Sequence, residues 1–72
     1  MTKAEIKVEK ARLTHAFKFD LLAMLEGIEK AAVGAVSEQE LLAARYDKDM
    51  ADADLRLAEL KLEKKRRQSQ IS

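Results

Sequence analysis

The single histidine is the residue of this chain whose type most readily carries chemistry. An imidazole can act as a general base, and it does so best when a nucleophile and an orienting acid are aligned with it. His15 has no cysteine to activate, and the serines lie only at residue 37 and in the C-terminal tail. Neighbouring helix positions point in different directions, so they supply no such alignment. We therefore predict that the chain is not an enzyme, and place His15 on the outer face of the first helix beside Phe19.

Four aspartates in the stretch DKDMADAD, residues 47–54, resemble a cation-binding cluster. On a helix they divide between two directions, and the glycine and terminal glutamate of a calcium loop are missing. We predict no metal site, and expect a solvated face with ion pairs four residues apart: Arg45 with Asp49, Lys48 with Asp52, and Asp52 with Arg56. Lys48 could also pair across the hairpin with Asp20.

Charge is segregated along the chain although the net charge is only +1. Residues 1–18 carry five bases and two acids, residues 19–60 four bases and ten acids, and residues 61–72 five bases and one acid. If the chain folds back on itself, both basic ends meet at one pole, which suits phosphate groups. The residues that could bind phosphate there are Lys3, Lys7, Lys10, Lys61, Lys64, Lys65, Arg66 and Arg67.

Helix start and stop signals near the middle of the chain favour such a fold. Gly34 suits the residue that ends one helix in the left-handed conformation, with positive φ, and Ser37 with Glu40 forms a capping box for the next. Thr2 and Glu5 form a second capping box at the start. We predict an all-α antiparallel hairpin with one helix at about 3–33, a turn at 34–37, a second helix at about 38–67 and a frayed polar tail at 68–72. A single bent helix is the alternative.

Apolar periodicity predicts which residues lie between the two helices. The second helix has a coiled-coil seam with leucine mainly at one core position and alanine at the other. Numbers of facing residues should sum to about 71, which places Leu13 near Ala58 and Ile28 near Ala44. The predicted seam of the first helix is Ile6, Leu13, Phe17, Leu21, Met24, Leu25, Ile28, Ala31 and Ala32, and that of the second is Leu41, Ala44, Lys48, Ala51, Leu55, Ala58 and Leu62.

A second apolar stripe remains on each helix, and a hairpin cannot cover both. A chain of 72 residues without cysteine also buries little surface alone. We therefore predict one domain, residues 1–72, that pairs into a homodimeric four-helix bundle; a higher assembly or a complex with another helical protein is the alternative. The predicted interface residues are Val8, Phe19, Leu22, Leu42, Tyr46, Met50, Leu57 and Leu60.

The plan resembles the architecture of the plasmid copy-number regulator Rop, a short helical hairpin that dimerises into a four-helix bundle and binds RNA through one helical face. The likeness rests on Met1-Thr2-Lys3 with Glu5 and on the Ala/Leu seam. It concerns the fold only, and none of that regulator's RNA-binding residues is carried over.

These observations predict a small cytoplasmic protein that acts through protein-protein association, with itself as the first partner, as a structural, adaptor or assembly component. The alternative is a nucleic-acid-associated regulator that uses the basic pole. No stretch has the roughly 20 apolar residues of a membrane span, and we expect no membrane, cofactor or small-molecule substrate.

Overall fold

The structure is a computed structural model that describes the backbone of residues 1–71 and the side chains of residues 1–69. Two α-helices, α1 (Lys3–Ala31) and α2 (Glu38–Ile71), pack against each other as an antiparallel hairpin. No strand occurs in this part of the chain. The hairpin measures 58 × 18 × 14 Å. The predicted two-helix hairpin is confirmed, and the single bent helix is wrong.

Both helices begin at the predicted cap residues, and both bonds of the capping box form at the first of them. The Thr2 hydroxyl accepts a hydrogen bond from the Glu5 amide at 3.2 Å, and the Thr2 amide donates back to the Glu5 carboxylate at 3.2 Å. The bond from the Thr2 amide, and a second one that the Thr2 hydroxyl donates to the same carboxylate oxygen at 3.0 Å, lower the pKa of the Glu5 carboxyl. At the start of α2 the Ser37 hydroxyl accepts from the Glu40 amide at 3.1 Å. Each cap satisfies an amide that would lack a partner inside its helix.

The turn is built around Gly34, whose φ of 90° is strained for any residue with a Cβ. α1 ends at Ala31, slightly before the predicted end. The Glu29 carboxylate, in the last turn of α1, accepts hydrogen bonds from the amides of Gly34 at 2.7 Å and Val36 at 3.0 Å. α2 runs past residue 67 to Ile71, so the predicted frayed tail is helical as far as that residue.

The seam of α2 is the predicted one, since every residue of it is buried or half-buried. The seam of α1 shares only Leu25 with the predicted set, although Leu21 is also half-buried. It also follows alternating steps of four and three residues, and all its members are buried or half-buried: Ala4, Val8, Ala11, His15, Lys18, Leu22, Leu25 and Glu29. Two heptad seams of matching period therefore lie face to face.

The face of α1 that contacts α2 is rotated by roughly a third of a helical turn from the predicted face, so that prediction is wrong. Leu13 is 66% exposed and Phe17 62% exposed, although both were expected to face α2. Val8 and Leu22 were expected on the outer face, but only 4% and 9% of their surfaces are exposed. The helix turns its smaller side chains towards its neighbour and leaves its larger ones outside.

The resulting core is small. The buried apolar residues of the described part of the chain are Ala4, Val8, Leu22, Val36, Ala44 and Ala51, and no large side chain among them is fully enclosed. Alanine on both helices allows the backbones to approach closely but contributes little apolar area. Burial within one hairpin therefore provides only a modest driving force for folding.

Candidate interaction surfaces

The outer stripe of α2 is an exposed apolar surface on the side opposite the seam. Its members follow the 3.6-residue period: Leu42, Tyr46, Met50, Ala53, Leu57 and Leu60. Each large member is at least 47% exposed. The stripe of α2 that was predicted to contact a partner is therefore exposed in the hairpin.

The outer stripe of α1 consists of five exposed residues that were predicted to lie in the seam: Ile6, Leu13, Phe17, Met24 and Ile28. Its members recur at eleven residues, as in Ile6, Phe17 and Ile28. Eleven residues complete about three helical turns, so the stripe runs nearly straight along the helix.

Three predicted interface residues of α1 lie elsewhere. Val8 and Leu22 belong to the seam. Phe19 is 53% exposed and lies beside His15, as predicted, with 6.5 Å between ring centroids. Around the axis of α1, Phe19 lies on the other side of the seam from the outer stripe of α1, so it is separate from both outer stripes. Of the predicted interface set, only the residues of α2 form one continuous apolar surface.

Two ion pairs and one histidine–aspartate contact between the helices line the edges of the seam. His15 Nε2 lies 3.5 Å from Asp52 Oδ1, Lys18 Nζ lies 3.7 Å from Asp47 Oδ2, and Arg45 lies 3.7 Å from Glu26. His15 is therefore a half-buried seam residue, and its predicted place on the outer face is wrong. In an antiparallel hairpin, residues at the same level have numbers with a nearly constant sum. The three contacts define this register, because their residue numbers sum to 67, 65 and 71.

The aspartates of DKDMADAD contact different basic side chains and do not converge on one point. Asp52 binds Arg56 at 3.0 Å, as predicted, and also contacts His15. Lys48 lies 3.4 Å from Asp49 instead of pairing with Asp52 or Asp20. Within the described residues, no three His, Asp or Glu side chains converge on a position for a metal ion.

A groove between the helix ends gathers most of the predicted basic residues. It encloses about 350 Å³ and has Ala4 and Ala58 at its floor. Five lysines and one glutamine form the rest of its lining: Lys3, Lys7, Lys61, Lys64, Lys65 and Gln68. We call it the lysine groove.

The other members of the predicted basic pole, Lys10, Arg66 and Arg67, do not line this groove. Arg66 lines one hollow with Glu5 and Lys65 and another with Glu59, and its charge makes a minor contribution to the lowered pKa of Glu5. Arg67 pairs with Glu63 at 2.6 Å. Both arginines therefore lie beside carboxylates, whereas the lining of the groove contains lysines and no acid.

Neither described helix contains an apolar stretch long enough to cross a membrane. The fold defines a class, the two-helix antiparallel hairpin with heptad seams. Comparison with protein-family models, with curated proteins and with solved structures gives no match for this chain. A proposal of function therefore depends on the surfaces described above.

Proposed function

We propose that this chain is a non-catalytic assembly or adaptor component that acts by associating with a second copy of itself. The observation that supports this proposal is the imbalance of burial: the buried core is mostly alanine and valine, whereas four leucines and all the methionine and aromatic side chains are exposed. Covering such side chains contributes about 25 cal/mol per Å² of apolar surface. A second copy packed against the outer stripe of α2 would cover the exposed side chains of that helix without any other protein, which gives a dimer of four helices.

The period of the outer stripe of α2 favours a second copy of the chain as the partner that covers it. The outer stripe of α2 continues from Tyr46 to Leu60 in steps of four, three, four and three residues, which is the heptad spacing of the seam. Stripes of equal period stay in contact along their whole length. The outer stripe of α2 in a second copy is a surface with this period.

Charge segregation favours an antiparallel arrangement of the two copies. Residues 61–67 of α2 contain five bases and one acid, whereas residues 38–54 contain six acids and two bases. An antiparallel pairing of the two α2 helices brings the basic segment of each copy beside the acidic segment of the other. A parallel pairing would place like charges together, which is unfavourable.

The substitution Leu57→Asp tests the association. Leu57 lies in the outer stripe of α2 and is 51% exposed, so a carboxylate there leaves the hairpin intact but is poorly tolerated in an apolar interface. We expect wild type to have the mass of a dimer in light scattering and the variant that of a monomer. The control is Ala16→Asp, an exposed position outside both outer stripes, which should stay dimeric. A monomeric wild type contradicts the proposal.

Cysteine cross-linking tests the sense of the dimer, because the chain has no cysteine of its own. Ala53→Cys lies near the middle of the outer stripe of α2, and Leu42→Cys lies at its end. In an antiparallel dimer only the central position meets its own copy, so oxidation should cross-link Ala53→Cys and leave Leu42→Cys monomeric on denaturing gels. Cross-linking at both positions indicates a parallel dimer.

A further inference from the structure

The lining of the lysine groove contains five bases and no acid. Elsewhere Lys18, Lys48, Arg45, Arg56 and Arg67 each lie within 4 Å of a carboxylate. Among the described residues, no ion pair involves any of the five groove lysines. The helices therefore concentrate positive charge in one concave surface without neutralising it from within.

The lysines stand in two rows on opposite walls of the groove. Lys3 and Lys7 are one helical turn apart on α1, and Lys61 and Lys65 are one turn apart on α2, which is about 6 Å in each case. Because the helices are antiparallel and His15 meets Asp52, Lys7 lies close to the level of Lys61, and Lys3 close to that of Lys65. The positive charge thus extends along the groove and does not converge on one point.

This arrangement indicates a linear polyanion as the ligand. A single compact anion is usually held by converging donors such as arginine forks or backbone amides at a helix start. The groove instead offers flexible ammonium groups along both walls above a floor of Ala4 and Ala58. Successive phosphates of a chain could each meet a lysine.

We propose that the lysine groove binds the phosphate backbone of a nucleic-acid strand. None of the side chains that line the groove is aromatic, so bases have no stacking platform there. Binding is electrostatic and independent of base sequence. This site is separate from the outer stripes and does not require the proposed self-association.

Fluorescence anisotropy with a labelled single-stranded oligonucleotide of mixed sequence tests the proposal. With four to five phosphates neutralised, the logarithm of the association constant should fall against the logarithm of the salt concentration with a slope of about −3. The double substitution Lys61→Gln with Lys65→Gln removes two contacts and should weaken binding and make the slope shallower by about 1.4.

The same segment of α2 provides a matched control. Arg66→Gln with Arg67→Gln removes the same charge from neighbouring positions, but these arginines lie outside the groove. This variant should keep the wild-type slope. A second test pair, Lys3→Gln with Lys7→Gln, changes the opposite wall and should reproduce the effect of the α2 lysines, because both rows contact one strand. Circular dichroism checks that each variant retains its helices.

Three outcomes would overturn the proposal. The first is no binding by the wild-type protein at low salt. The second is an equal loss in the lysine and arginine variants, which indicates general attraction without a groove. The third is binding to vesicles that contain phosphatidylserine with no change in oligonucleotide anisotropy, which indicates a membrane surface as the ligand. Light scattering on the same variants shows whether a loss of binding follows from a loss of self-association.

Discussion

The Glu29 carboxylate lies 2.7 Å from the amide nitrogen of Gly34 and closes the turn between the helices. Its second oxygen accepts from the amide of Val36 at 3.0 Å. A side chain in the last turn of α1 thus satisfies two backbone donors of the connection, which otherwise would depend on water. Hydrogen bonds from Gly34 and then Val36 hold the pKa of this carboxyl below its usual value, because both favour the ionised form.

The stability that Glu29 contributes through its contact with the turn amides should depend on pH. Because folding lowers the pKa of Glu29, its contribution to the free energy of unfolding is present above the unfolded pKa and is lost as the pH falls through the folded pKa. Glu29→Gln should lower the melting temperature at neutral pH, and the gap to wild type should narrow as the pH falls below about 4. Thermal melts followed by circular dichroism measure both effects.

The control for this variant is Glu9→Gln, an exposed position of α1 with no ion pair among the described residues. It removes the same charge but no turn contact, so its melting temperature should remain close to wild type throughout. A constant gap between Glu29→Gln and wild type at all pH values would show that the carboxylate does not act through its ionised form.

Replacing each of the two glycines with alanine should change the stability of the hairpin in opposite directions. A Cβ at either position meets no atom within 4 Å, so steric contact does not distinguish them. Gly34 has φ of 90°, and Gly34→Ala should destabilise the hairpin by about 1–2 kcal/mol. Gly27 lies within α1, and Gly27→Ala should stabilise it by about 0.5–1 kcal/mol. Urea unfolding of both variants provides the test, and changes of the same sign would contradict this account of the turn.

Local signals in the sequence were sufficient to predict the elements. Thr2 with Glu5, and Ser37 with Glu40, begin the helices where their side chains can accept amide hydrogen bonds. Gly34 has the predicted positive φ. Such signals depend on neighbours within a few residues and are therefore readable without tertiary structure. The role of Glu29 was missed because its bonds reach five and seven residues ahead, beyond any standard cap.

The face that α1 presents to α2 was not predicted correctly, because the prediction followed side-chain size and not period. The larger apolar residues of α1 recur every eleven residues, whereas the seam of α2 recurs every seven. Repeats of these two lengths drift in opposite directions around a helix, so they cannot remain in contact. The heptad of α1 is hard to recognise because His15, Lys18 and Glu29, which are not apolar, occupy seam positions. The aspartates on α2 that contact His15 and Lys18, Asp52 and Asp47, could have indicated two of these positions.

Two leucines of α1 test which face of this helix contacts α2. Leu22→Ala removes a seam side chain and should lower the free energy of unfolding by about 2–3 kcal/mol. Leu13 is exposed in the outer stripe of α1, away from the seam and from the proposed contact between α2 helices, so Leu13→Ala should change the free energy of unfolding by less than about 0.5 kcal/mol. Urea unfolding at low protein concentration measures both variants. An equal loss for both leucines at low concentration would contradict the observed rotation of α1.

Asp52 is the acid shared by His15 on α1 and Arg56 on α2, at 3.5 and 3.0 Å. Both contacts are partly solvated, so Asp52→Asn should reduce the free energy of unfolding by no more than about 1 kcal/mol, and salt should screen most of this difference. The control is Asp54→Asn, an exposed position without an ion pair in the described part of the chain, which should be neutral. Urea unfolding at low and high salt measures both variants. A loss that persists at high salt would show that Asp52 acts through seam packing and not through charge.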